Sequence, residues 1–99
     1  MILRVDPRAQ LEIDNAVGYY GSQRTGLGRE FAEEISRGYD SIEANPRAWS
    51  PFGKTLRKHK LNRFPYSIVY TEIGNDVRIV AVAHHSRGPG YWRSVMRQP

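Results

Sequence analysis

Between Lys54 and Arg63 the sequence sets Lys54, Arg57, Lys58, Lys60 and Arg63 beside His59, with no acid among them. Cations along an extended segment can each replace a counterion on a nucleic-acid phosphate. They also suit a sheet edge, where charge keeps strands of other chains from adding on. A second cluster lies near the C-terminus: His84-His85-Ser86-Arg87-Gly88-Pro89-Gly90-Tyr91-Trp92-Arg93. Phosphodiester cleavage needs a proton acceptor, a proton donor and positive charge on the developing dianion. His or Tyr can supply the first two and Arg or Lys the third. The aromatic rings could stack on unpaired bases or, as large apolar groups, anchor the tail on a sheet. Adjacent strand residues point to opposite faces, so only one of His84 and His85 reaches a given site.

Other chemistries find little support. The chain has 99 residues and no cysteine, which removes disulfides, cysteine-rich zinc sites and thiol nucleophiles and is compatible with a reducing cytosol. Three histidines and scattered carboxylates show no metal-ligand spacing, and Gly26-Leu27-Gly28 is an isolated doublet, not a phosphate-binding loop. No serine lies in a nucleophile elbow, and no helix-turn-helix or zinc-finger signature occurs. No cofactor and no metal are therefore expected. The start Met-Ile-Leu-Arg-Val-Asp lacks a signal-peptide layout, and no apolar run approaches the roughly 18 residues of a membrane span. A cytoplasmic protein with no membrane partner is expected.

Charge is unevenly distributed. The net charge is +5, but residues 1–43 hold five basic and eight acidic residues, whereas residues 44–99 hold ten basic and two acidic. A C-terminal half at +8 points to a polyanionic or acidic partner.

The elements that would position these clusters follow from periodicity. Ile2, Leu3 and Val5 read as a short strand. Asp6-Pro7 starts a helix, with Asp as N-cap and Pro at the first helical position. Ala9, Ile13, Ala16 and Tyr20 then form its apolar stripe, and the helix should end near Gly21-Ser22. Leu27, Phe31, Ile35, Tyr39 and Ile42 form the stripe of a second helix that stops at Asn45, before Pro46. The short turn between the helices predicts an antiparallel hairpin. Residues 46–54 read as a loop. Strands are predicted over Thr55–Leu61, Tyr66–Ile73 and Val77–Ala83, the last two joined tightly through Gly74-Asn75-Asp76. Val77–Ala83 is apolar enough for a central strand covered on both faces. Pro89 opens a short helical tail. The order β-α-α-β-β-β plus tail predicts one α+β domain over residues 1–99: a small antiparallel-type sheet with a helical hairpin on one face.

Four segments carry a resemblance. They are Ala16-Val17-Gly18-Tyr19-Tyr20, Leu27-Gly28-Arg29-Glu30-Phe31, Arg63 to Tyr70 (Arg-Phe-Pro-Tyr-Ser-Ile-Val-Tyr) and Val80 to Trp92 (Val-Ala-Val-Ala-His-His-Ser-Arg-Gly-Pro-Gly-Tyr-Trp). Spanning nearly the whole chain in order, they resemble the RelE/ParE superfamily of toxins from bacterial type II toxin–antitoxin systems. The ParE-like, plasmid-stabilisation branch is the most similar. The resemblance implies a growth-inhibiting toxin covered by a cognate antitoxin, with operator DNA bound indirectly through that antitoxin. It implies DNA gyrase as the target if the chain follows the ParE-like branch. If it follows the RelE-like branch, it implies a ribosome-dependent mRNA endoribonuclease, with Arg63, Arg87 and Tyr91 in the catalytic places. Lys54, Arg57, Lys58, Lys60, His84, His85 and Arg93 would contact target or phosphate. Ser86 departs from the branch, where a second basic residue often precedes the arginine. An inactive homologue that only binds antitoxin is the third alternative.

Overall fold

The computed structural model describes residues 2–86. In chain order they form β1 (Leu3–Val5), α1 (Pro7–Gln23), α2 (Leu27–Ala44), β2 (Ser50–Phe52), β3 (Leu56–Lys60), β4 (Tyr66–Ile73) and β5 (Asp76–His84). The helix starts obey local chemistry. The Asp6 carboxylate accepts the Arg8 N–H at 2.9 Å, and Pro7 occupies the first helical position. Arg78 pairs with the same carboxylate and holds it below the usual range, against a smaller opposing effect of burial. α2 starts from Gly26 in the left-handed region at φ 85°, a conformation that favours glycine. It ends before Pro46, with the Asn45 N–H on the Ser41 carbonyl.

The apolar stripes form the contact between helices and sheet. Ala9, Ile13 and Ala16 of α1 and Phe31, Ile35 and Ile42 of α2 are buried with Ile68, Tyr70, Val77, Ile79 and Val82. Two glycines allow close approach. A Cβ on Gly28 would lie 2.5 Å from the Val17 carbonyl oxygen, so α1 and α2 approach backbone to backbone there. A Cβ on Gly38 would lie 2.6 Å from Ile68 Cδ1, which sets the depth of α2 on β4.

The sheet order is β1-β5-β4-β3-β2. Two features differ from the sequence-based expectation within the α+β class. β1 joins β5 in parallel (Leu3 opposite Val77), so the sheet is mixed. The segment 46–54, expected to be all loop, contains β2, an antiparallel edge strand whose Ser50 and Phe52 lie opposite Lys58 and Leu56. Pro51 hides this strand in the sequence, yet an edge strand tolerates a residue without an N–H. The predicted helical tail lies outside the described residues.

One irregularity controls which way the end of β5 faces. Val69 lies opposite Ala81 but Tyr70 lies opposite Ile79, leaving Val80 as the extra residue of a bulge. Val77, Ile79 and Val82 consequently join the helix-side core, while Val80 and Ala81 pack with Leu56, Val69 and Phe52 on the other face. Both faces of this central strand are thus buried, as its composition predicts. The bulge returns Val82, and with it His84, to the helix side.

Candidate functional site

On β3 the side chains alternate, and the register sorts the basic segment into two groups. Lys58 lies opposite Val69 and Lys60 opposite Ser67, on the face turned away from the helices. The Lys58 ammonium sits 4.9 Å above the Phe52 ring, held by the ring quadrupole. Arg57 and His59 point to the helix side. Arg57 Nη1 donates to the Trp49 carbonyl at 2.8 Å, and His59 packs edge-to-face against the Trp49 ring with centroids 4.3 Å apart. Burial pushes the His59 imidazole below its ordinary pKa, against the opposing charge of Glu34. These two residues fasten the 46–54 segment. Lys54 lies exposed in the turn between β2 and β3 and borders the same cleft as Arg57.

The two histidines also separate, as strand geometry requires. His84 faces the helices with its ring 5.0 Å from that of Tyr66, and its Nδ1 accepts the Ser86 N–H at 3.0 Å. His85 lies just beyond β5, with its backbone N–H on the Pro65 carbonyl and Nε2 3.0 Å from Ser67 Oγ. Burial lowers the His85 pKa first, and the charges of Lys60, His84 and Lys58 lower it further. A hydrogen bond to the Tyr66 backbone opposes them. The imidazole is in contact with a hydroxyl and flanked by two lysines.

Arg63 stands differently. Its Nη1 is 3.0 Å from Glu30 Oε1 on α2, and its guanidinium lies 5.5 Å from the centroid of the Phe64 ring, which belongs to the helix-side core. Its backbone N–H and that of Asn62 point at the buried Glu34 carboxylate, which accepts the Asn62 N–H at 2.6 Å. Arg63 and Lys60 both border a cleft of about 420 Å³ beside Arg37, Trp49 and His59. Arg87, Tyr91 and Arg93 lie outside the described residues.

Sequence reasoning overlooked Ser67 and Glu34. Ser67 is only 6% exposed and sits in an apolar run. Its partnership with Lys60 and His85 depends on strand register, which is not local. Glu34 looks like one more acid on the polar side of α2, and nothing nearby in sequence shows the loop it holds. Among the described residues, no group of three or more acids and histidines is placed to hold a metal ion. No helix among them is long and apolar enough to cross a membrane.

A helical hairpin packed on one face of a mixed five-stranded sheet has the architecture of a small RelE-like toxin. The isolated E. coli RelE toxin shares it: TM-score 0.65 at 25% identity, over 97% of this chain and 96% of that one. The toxin–antitoxin structure of the chromosomal ParDE system from P. aeruginosa gives TM-score 0.73 at 20% identity, over 85% and 95%. A doubly substituted E. coli RelE toxin bound to an antitoxin RelBc peptide gives 0.65 at 23%, over 99% and 97%. No curated protein matches by sequence. The family profile of the ParE toxin of type II toxin–antitoxin systems (parDE) matches residues 3–89. The chain belongs to that family.

Proposed function

We propose that this ParE-family toxin is neutralised by a cognate antitoxin and arrests growth by inhibiting DNA gyrase through protein–protein contact. It acts in the cytoplasm without a cofactor, serves plasmid stabilisation, and reaches operator DNA only through the antitoxin. The observation that carries this reading is the Arg63–Glu30 ion pair at 3.0 Å. In the ribonuclease alternative Arg63 must bring positive charge to a phosphate. Here an acid on α2, which Arg24 also contacts, stands against that guanidinium, so a phosphate would have to displace or share this contact.

The alternative is a RelE-like mRNA endoribonuclease, and one observation favours it. The His85 imidazole, in contact with Ser67, held below its ordinary pKa by burial and flanked by Lys58 and Lys60, combines a proton acceptor with cations fit for a phosphate. Induced expression without antitoxin separates the two. Double-strand breaks with SOS induction are the outcome for gyrase inhibition. Rapid translation arrest with in-frame mRNA cuts would overturn it in favour of the nuclease. Unimpaired growth at confirmed expression contradicts both.

A further inference from the structure

The cleft of about 420 Å³ lies between α2 and the hinge that joins β3 to β4. Its volume falls within the roughly 300–1,000 Å³ of ligand clefts. The helix face turned to this hinge carries Glu30, Glu34, Arg37 and Ser41 at helical spacing. Both acids of that face are engaged: Glu30 by Arg63 and Arg24, Glu34 by the N–H groups of Asn62 and Arg63. The Ser41 carbonyl accepts the Trp49 indole N–H at 3.4 Å, which brings that ring to the cleft wall. Arg37 is the exception. It is exposed, and among the described residues it has neither an ion pair nor a hydrogen bond. Arg37, Lys60 and Arg63 thus border the cleft, and Glu34 is the one carboxylate among the described residues that lines it.

A forked guanidinium beside further cations selects an anion with two oxygens in one plane. We propose that this cleft receives the carboxylate of an acidic side chain presented by a partner polypeptide. Glu34 weighs against a phosphate. Its buried carboxylate repels a second anion in proportion to that anion's charge, so a singly charged carboxylate is disfavoured less than a phosphate near −2. The rest of the cleft favours a polypeptide over a free acid. The Trp49 ring gives side-chain methylenes an apolar wall, and the exposed Asn62 amide offers a peptide group both donor and acceptor. The site does not depend on gyrase being the growth target.

NMR titration of the full-length protein tests this. The probes are Nα-acetyl-glutamate methylamide, its neutral glutamine counterpart, its phosphoserine counterpart and butyrate, which has the carboxylate but no peptide groups. Saturable shifts at the amides of Arg37, Gly38 and Asn62 are expected with the glutamate probe, with affinity about tenfold weaker for glutamine. Arg37→Gln is expected to weaken the glutamate probe several-fold. Arg29→Gln makes the same charge change at an exposed position of α2 outside the cleft and is expected to leave the affinity unchanged. The circular dichroism spectrum should stay the same in both variants. Glutamine binding as tightly as glutamate, or the two variants having equal effects, would overturn the site. Phosphoserine binding more tightly would overturn the carboxylate assignment, and butyrate binding as tightly the polypeptide source.

Discussion

Glu34 shows how one side chain can hold a loop. It is buried, and its carboxylate takes the N–H groups of Asn62 and Arg63, the hinge between β3 and β4. Glu34→Ala leaves those donors without their partner and should cost about 2–3 kcal/mol, seen as a lower urea midpoint at unchanged m-value. His85 and His59 make a separate, pH-dependent contribution. Both are held below the ordinary 6.5, chiefly by burial, so the folded protein binds fewer protons than the unfolded chain once pH falls past that value. Their contribution is complete above pH 6.5 and declines as pH falls towards their folded-state values. The urea midpoint should therefore drop on acidification below about 6.5, and the drop should be smaller in His85→Asn; a midpoint independent of pH in this range would refute the assignment. The histidines and lysines stand out in the sequence by type alone. Ser67 does not, because a serine among Tyr66, Ile68 and Val69 gains meaning only when β3 places Lys60 opposite it and the end of β5 delivers His85.

The elements meet where side chains are missing. Alanine at Gly28 places its Cβ against the rigid Val17 carbonyl, whereas alanine at Gly38 meets the movable end of Ile68. Helix propensity favours both changes by about 1 kcal/mol, and overpacking opposes them by about 1–3 kcal/mol. Gly28→Ala should thus be clearly destabilising and Gly38→Ala closer to neutral, with thermal denaturation midpoints ranking them in that order. The helices and the β4–β5 hairpin were legible because capping, periodicity and the Gly74 turn are local signals. β2 was not, since three residues containing a proline carry no period and its strand character comes from pairing with β3. The parallel seat of β1 on β5 and the bulge at Val80 were equally invisible, being consequences of long-range register. The bulge matters most for the site, because it decides which histidine joins the lysines.

At the scale of the whole molecule, the described part of the basic half, residues 44–86, forms the β2–β5 side of the fold, and the acidic half forms the helical hairpin with β1. Part of that charge is spent internally: Arg63 on Glu30, Arg47 on Glu72 and Arg78 on Asp6. Lys58 and Lys60 remain on the face opposite the helices. Lys58→Glu combined with Lys60→Glu should therefore abolish growth arrest while leaving the urea midpoint nearly unchanged, because surface charges contribute little to stability; toxicity retained at equal expression would separate that face from the target. The most direct test of gyrase inhibition is the supercoiling reaction with purified gyrase, relaxed plasmid and this protein. Loss of supercoiling with accumulation of linear DNA, reversed by the cognate antitoxin, is the expected result. Undisturbed supercoiling, together with mRNA cleavage when the protein is added to translating ribosomes, would contradict it.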